Sequence, residues 1–199
     1  MNQHKITFSL NIHTKITIEL EDALSTYHPY SNATVILTHN QQDLILCDGS
    51  LYENSDRLRE LLSDALYNKL PLHKSINQDI GFLYNQYCDF IRNPATLVNS
   101  HFECIQSGPI DYWVGDYYHL WAKKYVSWIY NNNDGDIIFE VTPFYPYSYC
   151  DPQTEPNFIT YDQWIKTYQP YLIATFSKET AQEWLDQTKC IIKTIDENN

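Results

Sequence analysis

The chain has 199 residues, 43% of them hydrophobic and 19% charged, and its formal net charge is -12. This composition excludes a disordered chain and indicates a globular protein that buries enough surface to fold without disulfide bonds. The acidic balance disfavours binding to nucleic-acid phosphates and to anionic lipid, whereas it would attract a basic protein partner.

Targeting and redox signals in the sequence favour a cytoplasmic location. The first residues lack the charged start and apolar run of a signal peptide, and no stretch approaches about 18 apolar residues, so we expect neither secretion nor a membrane span. We interpret residues 1–199 as one domain. The cysteines are odd in number and without a pairing pattern, which is typical of reduced thiols: Cys47, Cys88, Cys104, Cys150 and Cys190.

Alternation of apolar and polar residues predicts two β-hairpins in the first quarter of the chain. Residues 5–10 and 15–20 alternate on either side of the polar turn 11–14, and residues 34–38 and 44–47 form a second pair. A period of two places one face of each strand in the core and the other in water.

Helical spacing follows the hairpins. Ser50 with Glu53 matches a capping box, and the apolar stripe that follows predicts a helix that ends before Pro71. Residues 79–92 also match helical spacing, although their first half fits a strand equally well; we interpret them as a helix.

The clearest predicted element is a hairpin over residues 124–142. Asp134-Gly135 supplies the positive φ angle that tight hairpin turns need. A loop rich in proline and aromatic residues covers 143–157. The hairpin residues expected to face a core are Val126, Trp128, Ile137, Phe139 and Val141.

The last part of the chain predicts a short helix, a strand and a long helix. Thr160 with Gln163 forms a second capping box, residues 171–176 read as a strand, and Ser177 caps a final helix. The whole order predicts an α+β fold, with mostly antiparallel sheets packed by about three to four helices.

Common catalytic and cofactor motifs are absent. The five glycines form neither the dinucleotide-binding nor the P-loop pattern, and the sequence lacks the serine elbow and the usual zinc spacings. We therefore predict no cofactor, no metal and no assignable catalytic residue, and we favour a protein that is not an enzyme.

Two polar groupings remain as alternatives. His101, Glu103 and Cys104 would suit zinc if they gathered on one strand, but a polar strand with one buried cysteine explains them as well. Asp116 and His119, with Asp111 nearby, would suit general-base chemistry. On a strand, however, residues three apart point to opposite faces. Attack by a thiol of Cys88 or Cys150 has no further support.

Residues 111–150 contain thirteen aromatic side chains. We expect about half of these rings to pack in the core, where large rings fit a pleated sheet. The others either pack the loop down or form a recognition surface, since tyrosine and tryptophan dominate binding hot spots. We place such recognition at the margins of the hairpin, in Asp111–Tyr118 and in Phe144–Asp151.

The stretch Trp128–Pro146, with its Trp-Ile-Tyr-Asn-Asn-Asn-Asp-Gly turn, resembles a pattern in small bacterial proteins. Tyr161–Trp164 and Ala181–Leu185 look similar as well, so the resemblance spans about residues 79–186. These proteins are similar to immunity proteins that accompany secreted bacterial toxins. The resemblance implies an acidic, cytosolic α+β protein and transfers no catalytic residue.

The leading hypothesis is a non-enzymatic binding protein that neutralises a basic toxin by masking its active site. Carboxylates would steer the partner and rings would anchor it, and alanine at Tyr145 and Tyr147 should then leave the fold intact. The residues with these expected roles are Asp111, Asp116, Asp134 and Asp136 for steering and Trp113, Tyr118, Tyr145 and Tyr147 for anchoring.

Two alternatives stay open at this point. One is a small-ligand-binding protein or a hydrolase with an aromatic-lined pocket, suited to a sugar or to a cationic group. The other is a homodimer that associates through a strand edge or an aromatic patch.

Overall fold

A computed structural model describes residues 4–92, 102–148 and 150–198. The first four strands form an antiparallel sheet in the order β1-β2-β3-β4. Both predicted hairpins are confirmed, and the inward face carries the apolar residues of the alternating pattern, such as Phe8, Ile18 and Val35. The strands are β1 (His4–Asn11), β2 (Thr14–Leu20), β3 (Asn32–His39) and β4 (Gln42–Ser50).

The remaining strands form two further sheets. A small sheet of two short strands precedes the 3-10 helix Val114–Tyr118, and a second four-stranded antiparallel sheet has the order β10-β9-β8-β7. The small sheet pairs β5 (Cys104–Ser107) with β6 (Ile110–Trp113). The larger one contains β7 (His119–Ala122), β8 (Tyr125–Asn131), β9 (Ile137–Pro143) and β10 (Leu172–Phe176).

The described ranges contain four α-helices, which complete the α+β fold as predicted. Ser50 accepts a hydrogen bond from the Glu53 amide, both bonds of the Thr160–Gln163 capping box are present, and Ser177 accepts from the Thr180 amide. Such caps satisfy amides that have no partner inside the helix. The helices are α1 (Leu51–Leu66), α2 (Ile80–Arg92), α3 (Tyr161–Trp164) and α4 (Lys178–Glu197), and α2 confirms the helix expected over 79–92.

Helix α4 joins the two large sheets. The Trp184 ring lies 5.2 Å from Phe8 of β1 and 4.8 Å from Phe176 of β10, and its indole N–H donates to the Ser9 carbonyl at 3.0 Å. Helix α1 packs beside α4 and contacts β4, β7 and β8. The core therefore lies between the sheets and this helix pair.

The hairpin of β8 and β9 is buried on both faces, whereas we expected its apolar residues to face one core. Gly135 adopts φ 82°, as the turn requires. Trp128 pairs with Glu140 on the face that α2 covers, where Tyr84 lies 5.8 Å from the Trp128 ring. Phe139 points to the opposite face and meets Phe176 at 6.0 Å. The aromatic richness of this segment thus serves two packing layers.

None of the described helices combines the length and the apolar character that crossing a membrane requires. The five cysteines, all within the described ranges, are free thiols.

Candidate functional site

The residues expected to bind a partner lie in three separate parts of the fold. Asp111 and Trp113 are on β6, and Asp116 and Tyr118 follow in the 3-10 helix. The turn between β8 and β9 holds Asp134 and Asp136, both exposed. The loop after β9 holds Tyr145 and Tyr147, which contact each other at 5.8 Å between ring centroids.

Three of the four rings expected to be exposed are buried, so the expectation that they present an open surface is wrong. Trp113 is 2% exposed, and Tyr118 and Tyr145 are each 5% exposed. The Trp113 ring packs between α2 residues, and the Tyr118 hydroxyl donates to the Pro71 carbonyl at 2.8 Å. Only Tyr147 is partly accessible.

A cleft of about 630 Å³ lies between α1, the small sheet and the 3-10 helix. Ile105 and Tyr112 pair across β5 and β6 and therefore share one face of the small sheet. The side chains that line the cleft are Arg57, Ile105, Ser107, Tyr112, Asp116, Tyr117, His119 and Leu120.

Arg57 fixes the wall of this cleft. Its Nε donates to the His119 carbonyl at 2.9 Å, and its Nη2 donates to the carbonyls of Asp116 and Tyr117 at 3.2 and 2.8 Å. Its Nη1 lies 3.4 Å from a carboxylate oxygen of Glu60. The guanidinium thereby satisfies carbonyls at the end of the 3-10 helix and holds the backbone of Asp116 and His119 in place.

Burial shifts the pKa values of Asp116 and His119, which both line the cleft, in opposite directions. Desolvation raises the pKa of Asp116 to about 6, although a backbone hydrogen bond at Trp113 and the charge of Arg57 oppose this. Desolvation also lowers the pKa of His119 to about 4, and the charge of Arg57 adds to this. At neutral pH, Asp116 is therefore mainly ionised and His119 is neutral.

His119 is held as a packing residue. Its ring stacks on Tyr84 of α2 at 6.3 Å with an interplanar angle of 17°, and its Nε2 atom is buried without a hydrogen-bond partner. No hydrogen bond joins the His119 ring to the Asp116 carboxylate, both of which lie in the described ranges. The pair shares a cleft but lacks the contact of an acid–base dyad.

Large apolar side chains are exposed beside the cleft. Ile110 is 54% exposed, Tyr112 is 40% exposed and Tyr117 is 54% exposed. We call Ile105, Ile110, Tyr112 and Tyr117 the tyrosine face. Asp111 points to the other face of β6 and is also exposed.

The proposed zinc grouping is not assembled among the described residues. Glu103 lies with His73, its carboxylate 3.1 Å from Nδ1, in a neighbouring cleft of about 320 Å³. His101 lies outside the described residues. Within the described ranges, no three histidine, cysteine or acidic side chains form a group suited to a metal ion.

A second buried acidic group lies under α2. Glu140 is 2% exposed and accepts a hydrogen bond from the Tyr130 hydroxyl at 2.7 Å. Asp79 accepts from Tyr168 at 2.6 Å and caps the amide of Phe82 at 2.9 Å. Desolvation, and then the charge of Asp79, raise the pKa of Glu140 to about 7. Glu140 lies on β9 and Asp79 caps the start of α2, so both acidic groups lie where α2 packs on β9.

Sequence reasoning missed Arg57, Ile105 and Ser107 of the cleft. Arg57 resembles any other polar residue on the outer side of α1, and its carbonyl partners lie about 60 residues away.

Comparisons with protein-family models, with curated proteins and with solved structures found no match for this chain.

Proposed function

We propose that this chain is a non-enzymatic, acidic binding protein of the immunity type that works in the bacterial cytoplasm. It uses its tyrosine face to mask the active site of a basic toxin. The observation that carries the proposal is the exposure of Ile110, Tyr112 and Tyr117 on one short segment, next to the half-buried carboxylate of Asp116. The resemblance to immunity proteins supports a bacterial toxin as the partner.

The chemistry of this surface favours protein binding. Clustered exposed apolar side chains with a polar margin mark interaction sites, and tyrosine supplies large, rigid contact area with a polar tip. The tyrosines of hot spots typically contribute more than ~1 kcal/mol each. Tyr112 and Tyr117 therefore replace the buried rings Trp113, Tyr118 and Tyr145 as the expected anchors.

Charge supports a basic partner. The net charge of -12 gives a long-range attraction that speeds encounter with a cationic surface and weakens as salt rises. Asp111 and Asp116 place part of that charge beside the tyrosine face, whereas Asp134 and Asp136 lie on a different turn and contribute only at longer range.

Protection of growth tests the proposal. The product of the adjacent gene is expressed in bacteria with and without this chain, and we expect toxicity that the chain relieves. The double variant Tyr112→Ala/Tyr117→Ala should lose protection. The matched variant Tyr30→Ala/Tyr67→Ala removes two tyrosines that are 86% and 73% exposed elsewhere, and it should protect fully. Equal protection by both variants would exclude the tyrosine face.

Light scattering of the free protein tests self-association. The proposal requires a monomer with an open tyrosine face. A dimer that the Tyr112→Ala/Tyr117→Ala variant converts to a monomer would mean that a second copy of the chain occupies this face, as in a homodimer.

One observation favours a second candidate, a small-ligand-binding protein or hydrolase: Asp116 and His119 line the same cleft. The lack of a hydrogen bond between their side chains weighs against hydrolysis. A panel of ester, amide and glycoside substrates separates the two candidates. Turnover that Asp116→Asn and His119→Gln both abolish would support the enzyme.

A further inference from the structure

We infer that the cleft beside the tyrosine face binds an ammonium or guanidinium group between the Asp116 carboxylate and the rings of Tyr112 and Tyr117. The inference deepens the proposed function and rests on it for the source of the cation, a lysine or arginine side chain that the basic partner inserts. The binding chemistry itself depends only on the residues of this cleft.

The charge of Arg57 favours the ionised form of Asp116, but no cation contacts the Asp116 carboxylate directly among the described residues. In the described part of the chain it forms no ion pair. Arg57 is close, but its Nε and Nη2 donate to three backbone carbonyls and its charge is balanced by Glu60 at 3.4 Å. A half-buried carboxylate without a paired cation is unfavourable, and a cation that enters the cleft relieves this.

Two phenol rings suit the same ligand. Tyr112 of β6 and Tyr117 of the 3-10 helix both line the cleft and are both exposed at its mouth. The face of a tyrosine ring attracts ammonium and guanidinium groups within about 6 Å of its centre. Ile105 and Leu120 supply apolar wall for the methylene stem of such a side chain.

Size and charge argue against other occupants. About 630 Å³ admits one long side chain, and ligand sites typically span roughly 300–1,000 Å³. An anion would meet the Asp116 carboxylate and a guanidinium whose Nε and Nη2 already hold carbonyls. A neutral ligand would leave the carboxylate without a counter-charge.

Binding of the cation should depend on pH through Asp116. Burial raises the pKa of Asp116 to about 6 and lowers the pKa of His119 to about 4. Burial also raises the pKa values of Tyr84, Tyr87, Cys88 and Cys104. A cation favours the ionised carboxylate, so affinity should fall as pH drops from 7.5 to 5. The charged or titratable groups around Asp116 are Arg57 of α1 with its partner Glu60, Tyr84, Tyr87 and Cys88 of α2, Cys104 of β5, Tyr112 of β6, Tyr117 of the 3-10 helix and His119 of β7.

The test uses n-butylammonium and n-butylguanidinium as probes, with n-butanol as the neutral control, in NMR titrations of the whole chain at pH 7.5. Both cations should shift the Tyr112 and Tyr117 resonances at millimolar concentrations, and butanol should bind at least ten times more weakly. Asp116→Asn should weaken cation binding at least tenfold. Asp162→Asn, which removes an exposed carboxylate from α3, should leave it unchanged.

Cation binding that Asp116→Asn leaves intact, or no difference between cation and butanol, would overturn the inference. The growth assay with Tyr112→Ala/Tyr117→Ala tests the proposed function independently of cation binding. A second outcome is that the butyl cations bind the wild type, while Asp116→Asn still protects growth and binds the partner with unchanged affinity. This outcome would show that the partner does not supply the cation, and it would contradict that part of the inference. Loss of both amine binding and partner affinity in Asp116→Asn supports it.

Discussion

The Nε atom of Arg57 donates a hydrogen bond to the backbone carbonyl of His119 at 2.9 Å and so joins α1 to the first residue of β7 across 62 positions of sequence. Two further bonds from Nη2 reach the carbonyls of Asp116 and Tyr117. One side chain therefore holds the backbone of Asp116 and His119 in the cleft and of Tyr117 in the tyrosine face.

We expect Arg57→Ala to lower the free energy of unfolding by about 2 kcal/mol, because it leaves carbonyls without their charged donor. Urea denaturation measures the loss. Arg59→Ala is the matched control, since the bonds of Arg59 to described residues all go to Asp56 in its own helix. It should change the free energy of unfolding by less than about 0.5 kcal/mol. Similar losses in the two variants would show that the three carbonyl contacts contribute little.

Tyr145→Ala should destabilise the protein by about 3 kcal/mol, which reverses the expectation that this change leaves the fold intact. The ring is 5% exposed, packs 5.5 Å from both Tyr161 and Trp164, and its hydroxyl donates to the Ile159 carbonyl at 2.7 Å. Tyr145→Phe removes only the hydrogen bond and should lose about 1 kcal/mol. Thermal and urea unfolding measure the free energy of unfolding of both variants. Equal losses for Tyr145→Ala and Tyr145→Phe would contradict the packing role of the ring.

Asn131→Ala should lower the free energy of unfolding by about 2–3 kcal/mol, because it leaves the Leu70 amide without its acceptor. It also removes one donor from the Ala65 carbonyl, which still accepts from the Asn68 amide. Asn131 is fully buried; its Oδ1 accepts from the Leu70 amide at 3.1 Å and its Nδ2 donates to the Ala65 carbonyl at 3.0 Å. The exposed neighbour Asn133 provides the control, and Asn133→Ala should be close to neutral. Equal midpoints of urea unfolding for the two variants would contradict this role.

Glu140→Gln should stabilise the protein at pH 8 by about 2–3 kcal/mol relative to the wild type, and this gain should shrink as the pH falls and vanish below pH 4.5. Burial raises the pKa of Glu140 from 4.5 to about 7 in the folded state. The folded state thus binds the proton more tightly than the unfolded state, so the stabilisation is complete below pH 4.5 and is lost as pH rises through 7.

Comparing the variant with the wild type isolates Glu140 from the other titrations. Asp116, whose pKa is also raised, acts in the same direction, whereas the lowered pKa of His119 removes stability as pH falls below 6.5 towards 4. A difference in unfolding free energy between variant and wild type that stays flat from pH 5 to 8 would show that Glu140 keeps an ordinary pKa.

Local patterns were sufficient for much of the fold. Alternation and turn residues fix the hairpins because both signals act between neighbours in sequence, and the caps at Ser50, Thr160 and Ser177 mark helix starts in the same way. The strands β5, β6 and β7 were missed because each has only four residues, which is too short for a period of two to stand out.

The site was harder to predict because it depends on tertiary contacts. Asp116 and His119 would point to opposite faces if they lay on one strand. Instead, the 3-10 helix Val114–Tyr118 turns the chain between them, and both line one cleft. Aromatic content alone does not distinguish Trp113, which α2 covers, from Tyr112, its neighbour on the open face of β6.

The most direct test of the central claim is the dissociation constant, measured by calorimetry at low salt, of a complex between this chain and the product of the adjacent gene. We predict that Tyr112→Ala/Tyr117→Ala weakens binding at least about thirtyfold, as expected for the loss of two hot-spot tyrosines, while Tyr30→Ala/Tyr67→Ala leaves it unchanged. Equal dissociation constants for the two variants, or no complex with the wild type, would contradict the account.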